Sequence, residues 1–232
     1  MIKAAAVIAA GGIGARMGGA TRKQYLVLKG KPVLAHSVSL FTEHRAVDEV
    51  IVAVPAGDID SAEELLKPFC PPGSYKLVEG GATRQLSIKN GLNALSSEAA
   101  LVCIHDAARP LASRELLDSL LETAARQGSA VPVIAFSDTV KKVNRDGYVV
   151  STPPRENLRL VQTPQVFRRD IIVNAYLHAE KHSLEATDDA ALVEHLGKPV
   201  ATIPGELSNL KITSPRDLVL ASYWLEGERE EG

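Results

Sequence analysis

Short apolar runs alternate with amphipathic stretches along the first 135 residues. Residues 4–10 are apolar and run into glycines, the pattern of a strand buried on both faces. Apolar positions at helical spacing (Val33, Leu34, Val38, Phe41) predict a helix over 33–41, and a β-branched run predicts a strand over 49–54. Residues 58–68 read as a helix with Asp58 or Asp60 as N-cap and Pro68 as its stop. The alternation continues with a strand at 76–78, a helix at 83–95 and a strand at 101–104. A helix at 113–126, opened by Ser113 and closed by Gly128, and a strand at 130–135 complete it. Strand and helix in strict turn imply βαβ units, hence a Rossmann-like α/β fold: a mainly parallel sheet with helices on both faces.

The pattern breaks after residue 135. Residues 138–163 are polar, with a turn at Asp146-Gly147 and the pair Pro153-Pro154. Runs at 140–143 and 148–150 flank that turn, so the segment predicts a strand-turn-strand arm protruding from a single domain. Helices are expected again at 168–181 and 188–195, and short strands at 199–203 and 210–212. A last helix spans 214–225, with Ser214 as cap and Pro215 in its first turn, and the charged tail 226–232 is expected to fray.

Composition narrows the class. The chain has 232 residues, 45% hydrophobic and 23% charged, enough for one sizeable domain. A net charge of -2 argues against a nucleic-acid partner. Its two cysteines form neither a disulfide framework nor a metal cluster. No apolar stretch approaches the ~20 residues of a membrane span. A cytoplasmic enzyme with no membrane partner is the expectation.

Candidate chemistry begins where the first strand ends. Ala10-Gly11-Gly12-Ile13-Gly14-Ala15-Arg16-Met17-Gly18-Gly19 is rich in small residues, which let backbone N–H groups approach an anion closely. The Gly-Lys-Ser/Thr of a Walker loop is missing, and Met17 falls where a dinucleotide fingerprint needs its third glycine. Arg16 lies in the loop and Lys23-Gln24-Tyr25 follows it. Two cations beside such a loop suit a triphosphate whose negative charge grows during transfer. A second cluster, His105-Asp106-Ala107-Ala108-Arg109-Pro110, follows another buried strand. An acid at that position points into the crevice at the strand ends, where its hard oxygen suits Mg²⁺ bridging phosphates. His105 by itself reads as a structural hydrogen-bonding residue rather than a base.

Together the glycine loop, Lys23-Gln24-Tyr25 and the His-Asp-Ala-Ala-Arg-Pro string resemble nucleotidyltransferases that activate sugars and polyols. The closest resemblance is to the 2-C-methyl-D-erythritol 4-phosphate cytidylyltransferases of the non-mevalonate isoprenoid pathway, and it spans nearly the whole chain. It implies CTP and a polyol phosphate as substrates, Mg²⁺ as cofactor and a homodimer joined through the arm. It assigns the nucleotide to Ala10, Gly11, Gly12, Gly14, Gly81, Ala82, Ser87 and Ala107. Catalytic charge falls to Arg16, Lys23, Arg155 and Lys211. The acceptor falls to Thr139, Arg155, Thr163, Thr187 and Lys211, with Asp106 and Arg109, and the metal to Asp106. Thr139 and Arg155 are expected to serve the partner subunit's site. The chain departs from the usual family pattern in having Ala9-Ala10-Gly11-Gly12 for Pro-Ala-Ala-Gly, Arg22 for proline, Ala82 for an acid and Asp189 for glutamate. Ribitol 5-phosphate is the competing acceptor, and a non-catalytic CTP sensor is the competing class. An NAD-dependent dehydrogenase fails on the fingerprint spacing.

Overall fold

A computed structural model describes residues 2–11, 22–96 and 98–230. Among the described residues its frame is an eight-stranded sheet, beside which β2 (Val27–Leu28) and β3 (Lys31–Pro32) pair as a separate short hairpin. β1 (Ala4–Ala9) lies near the centre, parallel to β4 (Val47–Val54) on one side and β6 (Leu101–Asp106) on the other. β5 (Lys76–Glu79) extends the sheet parallel to β4. On the far side β11 (Gln165–Arg168) runs antiparallel between β6 and β7 (Ser129–Ile134). β10 (Leu160–Val161) and β12 (Ala201–Pro204) both pair with β7, the first antiparallel and the second parallel.

The period-two rule explains how β1 serves two cores. Ala4, Ala6 and Ile8 point into one, which they share with Leu34, Val38 and Phe41 of α1 (Val33–Thr42). Leu66 of α2 (Ile59–Leu66) and Leu117 of α4 (Arg114–Gln127) close that layer. Ala5 and Val7 point the other way, against Ile88 of α3 (Arg84–Asn93), Ile172 of α5 (Arg169–His182) and Leu192 of α6 (Asp189–His195). α7 (Pro215–Glu230) covers a smaller cluster of Leu28, Val33 and Ile212. Gly91 lets α3 press onto β1: a Cβ there would stand 2.3 Å from Cγ1 of the buried Val7.

Several expectations change. The strand expected at 101–104 runs on to Asp106, which places His105 and Asp106 beside Ile8 and Ala9 of β1. No strand forms at 210–212: the Asn209 carbonyl accepts from Arg109 and Gln162 side chains, and Ile212 N–H donates to Ala108 O. These bonds replace a ladder. Within 138–163 only β8 (Lys142–Val143) and β9 (Val149–Ser151) make a separate hairpin, and the segment rejoins the main sheet at β10. α7 continues to Glu230, through residues expected to fray. Ser113 caps α4 through its hydroxyl, as expected. Asp58 sits at the N-cap of α2 but makes no side-chain cap bond there, because its carboxylate accepts from Arg22 and Tyr25.

A buried relay fixes the end of β6. Asp106 N–H donates to Thr163 Oγ1 (3.0 Å), which lies 3.1 Å from His105 Nδ1, while His105 Nε2 lies 3.0 Å from Arg109 O. A carbonyl only accepts, so Nε2 carries the ring proton and Nδ1 accepts from the Thr163 hydroxyl. Burial lowers the His105 pKa to about 4 from an ordinary 6.5. Below about pH 6.5 the unfolded chain therefore takes up a proton that the fold refuses. Stability contributed by the neutral ring is full above that pH and falls as pH drops toward 4, by about 3 kcal/mol in all. His105→Gln should flatten that part of the pH dependence, read as urea midpoints at about pH 4.5 and about pH 7; an unchanged slope would remove the assignment. Gly91→Ala should lower stability by about 1–3 kcal/mol through overpacking against Val7, outweighing the ~1 kcal/mol gain in helix propensity. A thermal melt at or above the wild-type temperature would contradict it.

Candidate functional site

The parallel strands β1, β4 and β6 end at one edge, and their ends are knitted together. Ala10 N–H donates to Ala53 O, Ala107 N–H to Ala9 O and Gly80 N–H to Val54 O. Residues 10, 80 and 107 therefore meet, although local sequence gives each only its own strand end. A cavity of about 280 Å³ opens there, as expected for an open α/β sheet. Ala10, Gly11, Ala82, Ser87 and Ala107 of the nucleotide set line it, together with Asp106 and Lys211. Gly81 stands behind Ser87, donating its N–H to Ser87 Oγ at 3.1 Å. The packing is tight: a Cβ on Gly11 would come within 2.8 Å of Ser87 Oγ. Gly12, Gly14 and Arg16 lie outside the described residues, and the side chain of Lys23 is likewise not described. Its backbone opens a 3-10 turn, Lys23–Tyr25, whose buried Gln24 donates from Nε2 to Ala10 O at 2.6 Å. That bond ties the turn at residues 23–25 to Ala10, the first residue of the glycine loop.

Asp106 is the electrostatic centre. Arg84 Nε donates to its Oδ1 at 2.8 Å and Lys211 Nζ to its Oδ2 at 2.6 Å. Arg84 also donates from Nη2 to Asp189 Oδ2 at 2.7 Å, and Tyr176 OH donates to Asp189 Oδ1 at 2.6 Å. Burial pushes the Asp106 carboxyl up, but the charges and hydrogen bonds of Arg84 and Lys211 outweigh it and hold the group well below the usual carboxylate range. Burial works against the Arg84 charge too, and Asp189 and Asp106 more than reverse that. Tyr176 is pushed up first by burial and then by Asp189, so its phenol stays protonated.

Of the acceptor set, the structure brings Asp106, Arg109, Thr163 and Lys211 together. Arg109 turns away from the cavity to donate from Nη1 to Asn209 O at 2.7 Å, and the Thr163 hydroxyl is engaged by Asp106 N–H and His105. Thr139 and Arg155 lie exposed on or beside the arm, outside the cavity lining, and the Arg155 guanidinium bonds Ser137 O. Thr187 is exposed just ahead of Asp188, which caps α6 through Ala191 N–H. Arg84 is a site residue that sequence reasoning missed. It occupies the first turn of α3, where the helix dipole disfavours a cation. That local misfit was its signal.

Known proteins match this chain over nearly its whole length. The family model IspD, 2-C-methyl-D-erythritol 4-phosphate cytidylyltransferase, matches residues 4–227. A protein of that name from Symbiobacterium thermophilum is 43% identical over 225 residues, covering 97% of this chain and 94% of its own. The crystal structure of the enzyme of that name from Thermus thermophilus superposes with a TM-score of 0.78 at 39% identity, over 97% of this chain and 98% of that one. The 4-diphosphocytidyl-2C-methyl-D-erythritol synthase of Anaerococcus prevotii superposes at 0.83 with 30% identity, over 97% and 99%. The chain belongs to the 2-C-methyl-D-erythritol 4-phosphate cytidylyltransferase family.

Proposed function

We propose that this chain transfers CMP from CTP to 2-C-methyl-D-erythritol 4-phosphate and releases pyrophosphate, in the cytoplasm, as a step of isoprenoid precursor synthesis. The observation that carries the reading is the Asp106 carboxylate, ion-paired to Arg84 and Lys211 on the wall of a cavity that begins at Ala10 and Gly11. Among the described residues no helix is long and apolar enough to cross a membrane.

A phosphate oxygen of the acceptor attacks the α-phosphorus of CTP in line, and pyrophosphate leaves. That oxygen is ionised near neutral pH, so the site needs positioning and charge rather than a base. His105 fits this division: both ring nitrogens are engaged inside the protein, and burial keeps the ring neutral. Ser87, Ala82 and Gly81 hold the base of the nucleotide, and Ala10, Gly11, Gly12 and Gly14 its phosphates. Arg16 and Lys23 face the charge that develops on the α- and leaving phosphates. Lys211, whose side chain is 39% exposed, receives the acceptor phosphate together with Arg155 of the partner subunit. Thr139, Thr163 and Thr187 with Arg109 complete the acceptor set, Thr163 and Arg109 by shaping the wall.

The donor set for Mg²⁺ is a single ionised carboxylate. No group of three or more His, Cys, Asp or Glu side chains that could cage an ion occurs among the described residues. This suits Mg²⁺, which keeps most of its water and takes one or two carboxylates plus phosphate oxygens. Asp106 retains lone pairs beyond its two ion pairs and would hold the ion, which when bound neutralises phosphate charge.

The arm supports a homodimer. Tyr148, Val149 and Val150 are each at least 60% exposed on it, apolar surface that a second subunit would cover. Thr139 and Arg155, which flank the base of that hairpin and lie outside the cavity lining, serve the partner's site in this reading.

Two measurements test the proposal. With CTP and Mg²⁺, pyrophosphate should be released rapidly when 2-C-methyl-D-erythritol 4-phosphate is added and not with ribitol 5-phosphate. Release with the ribitol compound alone would reassign the acceptor, and none with either would leave a CTP-binding protein without this activity. Removing residues 140–152, whose flanks meet where the Arg155 guanidinium bonds Ser137 O, should give an inactive monomer. A deletion protein that stays dimeric with full activity would sink the role of the arm.

A further inference from the structure

The two cations on Asp106 are not equivalent. Lys211 reaches Oδ2 from a segment without regular structure, and its side chain is 39% exposed. Arg84 reaches Oδ1 through Nε from the first turn of α3, and a second nitrogen of the same guanidinium, Nη2, is fixed to Asp189. The Asp189 side chain is 1% exposed and is itself held by the Tyr176 hydroxyl. The chain of contacts Tyr176–Asp189–Arg84–Asp106 thus runs from α5 through the start of α6 and α3 to the end of β6. A guanidinium can bridge two carboxylates because its donors diverge from one rigid plane; an ammonium offers a single charged point.

An anion arriving at Lys211 competes with Asp106 for one ammonium. If Lys211 were the only protein cation on Asp106, its departure would leave a largely buried carboxylate with no side-chain counterion, beside a second negative charge. Asp106 would then retain Lys211 against the incoming ligand. With Arg84 anchored from behind, the carboxylate keeps a partner and its orientation whichever way Lys211 turns.

We propose that Arg84 is a positioning residue that holds the Asp106 carboxylate in place, and so frees Lys211 to leave it for the phosphate of the acceptor. This rests on the acceptor role of Lys211 proposed above. The pair Lys211–Asp106 is accordingly the resting arrangement of the site, and Arg84–Asp106 the permanent one.

The test is a steady-state cycle on the full chain, with CTP and Mg²⁺ saturating and 2-C-methyl-D-erythritol 4-phosphate varied. Arg84→Met leaves Asp106 to Lys211 alone, and the acceptor KM should rise about tenfold or more. Adding Asp106→Asn to Arg84→Met should strengthen acceptor binding again, measured by calorimetry with the acceptor itself, because a neutral amide does not retain the ammonium. A merely structural Arg84 would give the opposite sign, each substitution weakening binding further. Arg84→Lys keeps the charge and guards against loss of folding in the methionine variant; it should raise acceptor KM about threefold or more, since one ammonium cannot span both carboxylates. A wild-type acceptor KM in Arg84→Lys, or weaker acceptor binding in the double variant than in Arg84→Met, overturns the inference alone. A wild-type protein that releases no pyrophosphate with this acceptor overturns the functional reading and the inference with it.

Discussion

A largely buried carboxylate at the end of a central strand has to be compensated, and Asp106 is compensated at both of its oxygens. Taking such a group out of water costs several kcal/mol, a cost that close, well-oriented cations can offset. Here the cations come from positions 22 residues before and 105 residues after it. Arg84 can reach only if α3 lies flat on β1, which the missing side chain at Gly91 permits. Lys211 can reach only if residues 209–212 leave the sheet and bond to the loop after β6. Much of the architecture around the cavity, including the insertion of β11 beside β6, is arranged about this one charge.

The same arrangement separates the chemistry that the site can do from the chemistry it cannot. His105 is adjacent to Asp106 in sequence yet points away from the cavity, locked between Thr163 and the Arg109 carbonyl. A reaction that needs no general base loses nothing by that. What phosphoryl transfer needs is positive charge held at fixed positions, so that little reorganisation is required as negative charge develops. In the proposed reading Arg84, braced by Asp189 and Tyr176, meets that need through Asp106, and Lys211, 39% exposed against 28% for Arg84, is the more accessible of the two cations on that carboxylate.

Elements whose reasons are local were legible. β1 is a run of small and branched apolar residues, α4 has a serine cap and a closing glycine with φ 94°, and the arm is marked by turn residues and paired prolines. Elements with non-local reasons were not. β11 is four residues beginning with a buried glutamine, and it becomes a strand because β6 and β7 leave a slot between them. Residues 210–212 look like a strand by composition, but side chains of Arg109 and Gln162 occupy the Asn209 carbonyl instead. Asp58 reads as a helix cap, and the distant Arg22 takes its carboxylate.

The sequence by itself determined the class of fold, the strand ends at which chemistry sits and, through its motifs, the family. It did so because hydrophobic period, turn chemistry and short motifs are encoded by neighbours along the chain. Only the tertiary structure decided which motif residues share a cavity and how each charge is spent. The motifs offer Thr163 and Arg109 as ligand contacts, and the Thr163 hydroxyl and Arg109 Nη1 are engaged within the protein. Arg84 was read as part of a helix opening, and it is the bridge between Asp106 and Asp189. Partner choice for a buried charge depends on which elements pack beside it, and packing is set by the whole sheet rather than by any one segment.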